Sequence, residues 1–372
     1  MKRVALFTDY GWIGISSPLI NTALYLNDLG FSIDIYIKES DFCNELGLGK
    51  PHLNNRKTIN FKYYKLSQVS KNNVLAKNLD EIEAYILEKP NYEFLIGFDP
   101  HGLIKAGLFG QLLNIKFIYF SLEIYEVSDE LKELECFFSQ AAALCITQDL
   151  QRMNILAKLN KVPIEKLQYV WNSSYDNSVI DEKQNYFREK FDIPIEKKII
   201  LATGTLLDIT GIDVLLEAFI NFKKDNFVLV LHGWIPNKSF EKYILSKIDN
   251  KKIFLSNDLI PFEEKYSVFS SCDFGFIFYQ PIDSNLKYAA GSSGKLFDFM
   301  RCGVPMLGND IPKMKEYLEE NKIGRIFYNT QEIEMILNEM DENYEYYSQN
   351  AKKIYGNYSF QKSLANALKE YV

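Results

Sequence analysis

The residues of this chain best suited by type and spacing to do chemistry are Gly291-Ser292-Ser293-Gly294-Lys295, followed by Leu296, Phe297, Asp298, Phe299 and Met300. Two glycines and two serines before a lysine, then apolar residues at helical spacing, describe a small-residue loop that opens onto a buried helix. The first turn of a helix has N–H groups without intrahelical partners and about half a positive charge, so it attracts phosphate. Lys295 adds a full charge there, and Ser292, Ser293 and Gly294 let a ligand approach the backbone. Asp298, one turn further on, is placed to accept hydrogen bonds from ribose hydroxyls. A P-loop is excluded, because that motif needs Gly at position 289 and Ser or Thr at 296, where this chain has Ala289 and Leu296.

A second set of polar residues follows predicted strands in the first half. Asp99-Pro100-His101-Gly102 comes after a strand over 94–98, and Ser121-Leu122-Glu123 closes one over 117–121. In parallel sheets ligands lie beyond the carboxyl ends of the strands. His101 is suited to orient or deprotonate an acceptor hydroxyl, and Glu123 to accept a hydrogen bond from one. The plainer alternatives are a helix cap for His101 and a solvated loop acid for Glu123. Near the start, Gly11-x-x-Gly14 departs from G-x-G-x-x-G and no acid ends the second strand at the expected distance, so the turn is either ligand-facing or a simple reversal.

The elements that must position these residues alternate strand and helix. Strands over 3–8, 31–37, 94–98, 117–121 and 143–147 are interleaved with helices over 19–29, 103–113, 129–140 and 150–157. A polar, turn-rich segment at 171–177 interrupts the rhythm and reads as a linker. It then resumes with strands over 198–203, 227–232, 252–255, 274–278 and 304–307, and helices over 213–222, 240–247 and 263–271. Gly204-Thr205 and Thr210-Gly211 bracket a turn expected beside the Gly-Ser loop. Two helices, 342–355 and 360–371, end the chain. Such alternation predicts two parallel sheets, each covered on both faces.

A chain of 372 residues with 47% apolar and 24% charged residues can build two cores and is not disordered. A net charge of −7 argues against nucleic acid as a partner. Five scattered cysteines without a C-x-x-C pair fit reduced thiols, with neither a zinc site nor a disulfide framework. The apolar run at 4–7 is too short for a signal peptide, and no stretch approaches the ~18 apolar residues of a spanning helix. The expected location is cytoplasmic. Residues 42–75 interleave Lys50, Arg56, Lys57, Lys62, Lys65 and Lys71 with Phe61, Tyr63 and Tyr64. That mixture suits peripheral contact with the inner face of a membrane or a phosphorylated acceptor, or else a solvated face.

With these motifs the chain resembles a GT-B fold glycosyltransferase, most like retaining glycosyltransferase family 4. The resemblance lies chiefly in Gly204-Thr205-Leu206 with Thr210-Gly211-Ile212-Asp213, and in Lys295 to Pro305. It implies two Rossmann-like domains facing across a cleft, with C-terminal helices crossing back to the first domain. It places an acceptor-binding domain at 1–171 plus 356–372 and a nucleotide-sugar-binding domain at 172–355. It also implies transfer from a nucleoside-diphosphate sugar to a glycan or lipid-linked acceptor, in surface polysaccharide or glycoconjugate biosynthesis. Catalytic roles fall on His101, Glu123 and Lys295, and donor contacts on Gly14, Gly204, Thr205, Ser292, Ser293, Gly294, Lys295, Leu296 and Asp298. The chain departs from the family at Thr205 and Thr210, where an Arg and a Lys usually hold the diphosphate, at Ala290, where a glutamate is usual, and at Ser121-Leu122-Glu123, where many members carry a histidine. No D-x-D triplet occurs, so neither a metal nor another cofactor is expected, and Lys295 must supply the charge. The rival expectations are a nucleotide-sugar epimerase of the same fold and a noncatalytic carbohydrate-binding or scaffold protein.

Overall fold

The computed structural model describes residues 2–9, 11, 13–40, 53, 56–64, 67–70 and 72–372. The chain divides into two compact units, Met1–Tyr175 with Phe360–Val372, and Asp176–Ser359.

The first unit runs β1 (Arg3–Thr8), α1 (Ser17–Asp28), β2 (Ser32–Lys38), β3 (Ile59–Tyr64), α2 (Val74–Leu87), β4 (Phe94–Phe98), α3 (Asp99–Leu113), β5 (Phe117–Phe120), α4 (Glu130–Ala141), β6 (Leu144–Thr147), α5 (Leu150–Asn160) and β7 (Leu167–Tyr169). Its strands pair in parallel in the order β3-β2-β1-β4-β5-β6-β7, so the order reverses between β1 and β4. All five residues of β4 are buried, as a central parallel strand covered on both faces requires. The segment 99–102, read from sequence as a loop, is the first turn of α3, with Pro100 where its missing N–H costs nothing. A Cβ at Gly102 would strike the carbonyl of Phe7, so glycine there lets α3 sit directly on the sheet. Asp129 and Asp149 cap α4 and α5, accepting from the N–H groups of Lys132 and Arg152 at 2.9 and 2.8 Å.

The second unit runs α6 (Tyr186–Phe191), β8 (Lys198–Thr205), α7 (Ile212–Ile220), β9 (Phe227–Trp234), α8 (Lys238–Leu245), β10 (Ile253–Ser256), α9 (Lys265–Phe269), β11 (Phe274–Ile277), α10 (Ser284–Lys287), α11 (Gly294–Arg301), β12 (Met306–Asn309), β13 (Gly324–Phe327), α12 (Ile333–Glu342) and α13 (Tyr344–Tyr355). The strand order β10-β9-β8-β11-β12-β13 is that of a Rossmann sheet and reverses between β8 and β11. Its core joins Leu215, Leu216 and Phe219 of α7 to Leu229 and Leu231 of β9 and Phe274 of β11.

Of the two helices that end the chain, one returns to the first unit. The helix α14 (Phe360–Ala367) packs on β7 and α1. The Ser363 hydroxyl accepts from the Trp171 N–H at 3.3 Å, and Tyr371 meets Phe94 edge-on. By contrast α13 stays with the second unit, against α11. The stretch 42–75 holds an element missing from the sequence reading, the edge strand β3, and its Tyr64 is buried with the hydroxyl on the Thr8 carbonyl at 2.8 Å. Lys50, Lys65, Lys71 and Cys43 lie outside the described residues. Among the described residues, no helix is long and apolar enough to cross a membrane.

Candidate functional site

In the second unit the order reversal opens the sheet between the carboxyl ends of β8 and β11, and the residues singled out from sequence gather there. Gly204 and Thr205 end β8 and are exposed. Gly204 has φ 107 and Gly233 φ 149. A Cβ on Gly233 would strike the Gly204 carbonyl, so glycine at both positions lets the two strand ends close together. Lys295, on the first turn of α11, brings its Nζ within 3.9 Å of where a Cβ on Gly204 would stand. The same ammonium lies over the Tyr279 ring, 5.2 Å from its centroid. Lys295 thus spans the opening from the end of β11 to the end of β8.

Tyr279 and Asn309 are residues the sequence reading missed. The Asn309 side chain accepts from the Tyr279 N–H at 3.0 Å and donates to its carbonyl at 2.9 Å, fixing the backbone just beyond β11. The Tyr279 hydroxyl then bonds the Ser293 hydroxyl at 2.7 Å. Ser293 is the N-cap residue of α11, yet no side chain caps that helix. Its hydroxyl is drawn toward Tyr279, and the helix start keeps its positive end. Position after a strand was the available signal for Tyr279.

The remaining donor-site candidates are placed differently. Leu296 is fully buried and its N–H bonds the Ser293 carbonyl at 3.1 Å, so it belongs to the core rather than to a ligand surface. Ser292 turns its hydroxyl back to the Ala289 carbonyl at 3.2 Å. Thr210, at a position where the resemblance expects a cation, closes the turn after β8, with its hydroxyl 2.9 Å from the Thr205 and Leu207 carbonyls. Asp298 is buried and engaged: the Lys265 ammonium lies 2.9 Å from Oδ1, and the Tyr266 hydroxyl donates to it at 2.9 Å. A ribose hydroxyl at Asp298 would share the carboxylate with both. Arg301 stacks over the Tyr266 ring at 4.3 Å and donates to the Ser178 carbonyl at 2.8 Å and the Asp176 carboxylate at 2.9 Å. This ties α11 to the beginning of its unit.

His101, Glu123 and Gly14 lie in the first unit. A pocket of about 190 Å³ at the β1/β4 reversal is lined by Asp9, Asp99, His101, Glu123 and Tyr125, with Phe98, Pro100 and Leu131. Gly14 sits buried in the turn between β1 and α1. Asp99 holds φ 53, a conformation disfavoured for a residue before proline. Its Oδ1 accepts from the N–H groups of Leu122 and Glu123 at 2.7 and 3.0 Å, which clamps the loop after β5. Arg152, buried beneath, donates to the Leu122 carbonyl at 2.6 Å and lies 3.8 Å from the exposed Glu123 carboxylate. Burial raises the Asp9 carboxyl, but the Lys105 ammonium, with His101, Lys38 and the Tyr64 hydroxyl, outweighs it and holds Asp9 far below the usual carboxylate range. Burial pushes the His101 imidazole down to about 4, Lys105, Lys77 and Lys38 acting in the same sense and Asp9 against them. The ring is therefore neutral near pH 7, in a pocket that offers carboxylates and one imidazole to a hydroxyl-bearing molecule.

Residues 183–358 match the model of the family described as glycosyl transferases group 1. Among curated proteins, none matches the sequence significantly. Among solved structures, Anabaena HepE in complex with UDP-glucose superposes with TM-score 0.76 at 12% identity, covering 100% of this chain and 99% of that one. A glycosyltransferase from Rickettsia africae gives TM-score 0.76 at 16% identity over 100% and 97% of the two chains. WaaG, a glycosyltransferase involved in lipopolysaccharide biosynthesis, gives 0.68 at 14% identity over 98% of each. The family match thus falls within the second unit, and the chain as a whole has the GT-B fold, with two Rossmann-like α/β units.

Proposed function

We propose that this protein is a retaining glycosyltransferase that takes a nucleoside-diphosphate sugar in its second unit and transfers the sugar to a hydroxyl of a glycan or lipid-linked acceptor. The observation that carries the reading is Lys295, an ammonium on the first turn of an uncapped helix at the sheet reversal, beside a glycine strand end. That arrangement suits a diphosphate leaving group. As the anomeric C–O bond to phosphate breaks, negative charge grows on the phosphate oxygen, and fixed donors stabilise it more than they stabilise the intact donor. The acceptor oxygen bonds to the anomeric carbon from the face the phosphate leaves, and its proton passes to the departing phosphate oxygen. No protein nucleophile is needed.

The sequence has no D-x-D triplet, so the charge is assigned to Lys295 and the helix start, without a metal. HepE binds UDP-glucose and WaaG acts in lipopolysaccharide biosynthesis. These neighbours support a uridine donor and a surface-glycan acceptor as the first ones to try. Thermal unfolding of wild type and Lys295→Ala, with chelator and a panel of nucleoside diphosphates and their sugars, tests the donor site. A ligand at about 100 times its Kd adds about 2.7 kcal/mol to the folded state. A shift with one base that disappears in Lys295→Ala is expected. Wild type unmoved by every nucleotide would turn the reading to a noncatalytic carbohydrate-binding protein.

A further inference from the structure

Behind the pocket of the first unit runs a buried polar chain that fixes the chemistry of His101. Lys105 of α3 is fully buried. Its ammonium meets Glu81 at 2.8 Å and Asp9 at 2.9 Å, and donates to the Asn78 carbonyl oxygen Oδ1 at 2.7 Å. It pairs with the Glu81 carboxylate and donates hydrogen bonds to Asp9 and Asn78, and since an ammonium only donates, the Asn78 atom facing it must be oxygen. The other end of the same amide agrees. Asn78 Nδ2 donates to the Val74 carbonyl at 2.7 Å and lies 3.2 Å from His101 Nδ1. Flipping the amide would set NH2 against ammonium and oxygen against a carbonyl oxygen, so two independent contacts forbid it.

An NH2 group cannot accept, so His101 Nδ1 must accept from it, and the neutral ring carries its proton on Nε2. Among the described residues Nε2 has no hydrogen-bond partner. We propose that Asn78 and Lys105 are positioning residues that hold His101 as the Nε2–H tautomer, so that the ring offers the pocket a hydrogen-bond donor and acts on a substrate oxygen by donation. Of the two roles expected for His101, orienting a hydroxyl remains and abstracting its proton does not. A donor of this kind fits a sugar oxygen with a free lone pair. The charged and titratable groups around the ring are Asp9 beyond β1, Lys38 at the end of β2, Tyr64 on β3, Lys77 and Glu81 on α2, Lys105 on α3 and Asp129 before α4, with Asp99, Glu123 and Tyr125 lining the same pocket. The chemical consequence rests on the transferase reading, whereas the tautomer does not.

The experiment is a long-range 1H–15N correlation spectrum of the full chain labelled at its three histidines, with the His101 signals identified by their loss in His101→Gln. The expected wild-type pattern is a neutral Nε2–H ring from pH 6 to 8. Asn78→Asp sets a carboxylate against Nδ1 and should move the proton there, with the titration raised by about one unit or more. A wild-type ring protonated on Nδ1, or titrating near its ordinary 6.5, overturns the proposal whether or not Asn78→Asp folds. An Nε2–H ring in a protein that no nucleoside diphosphate stabilises would remove the transferase reading and leave the tautomer lock standing.

Discussion

His101 and His232, one in each unit, are both held neutral by burial, each pushed down to about 4. In the unfolded chain such rings titrate near 6.5. Between those values the unfolded state binds more protons, so stability should rise with pH across the window. The contribution is complete above about pH 6.5 and lost as pH falls to about 4, at most about 3 kcal/mol for each ring before solvent screening. Urea titrations from pH 4 to 8 read this directly, and a flat profile would mean that the rings are solvated. Asp298 shows the opposite lesson. Read from sequence it is a ribose acceptor. With Lys265 and Tyr266 bonded to it, Asp298→Ala should cost about 1–3 kcal/mol as well as any nucleotide affinity. An unchanged urea midpoint would show that the pair contributes nothing to the fold.

The elements that bring up the two sites rely on close backbone approach. Helix α3 carries His101 on its first turn because Gly102 allows contact with the Phe7 carbonyl. Gly102→Ala should push the helix off β1, destabilise the first unit by about 1–3 kcal/mol, and displace His101. The checks are denaturant unfolding and the His101 ring signals, and an unshifted ring would mean that the helix start tolerates a methyl group. At α11 the equivalent positioning comes from side chains. Asn309 holds Tyr279, Tyr279 holds Ser293 and underlies Lys295, and Arg301 anchors the far end. Apolar periodicity located α11 and most of α3. It passed over β3, α2, β7, α6, α10, β13 and α12, most of which are short or are flanked by polar residues.

At the scale of the whole molecule the C-terminal helix is the notable economy. Residues beyond 359 belong to the first unit although the whole of the second unit precedes them in the chain. Leu364 and Leu368 are fully buried, and exposing them costs about 2 kcal/mol each. Removing 360–372 should therefore lower the unfolding temperature of the first unit while leaving nucleotide stabilisation of the second. Calorimetry with and without UDP distinguishes the two. Equal loss of both transitions would show that the units do not unfold separately.

The sequence by itself determined the two α/β sheets, the break near 171–177, the Gly-Ser loop on a helix start, and the strand-end position of His101 and Glu123. Periodicity and small-residue loops are local signals, and local signals survive in a linear chain. Only the tertiary structure decided what each side chain faces. Lys295 over Gly204 and Tyr279, Asp298 against Lys265 and Tyr266, and the chain from Glu81 and Lys105 through Asn78 to His101 join residues 16 to 91 positions apart. Burial and hydrogen-bond geometry set protonation and tautomer there, and neither exists until the sheets close over them.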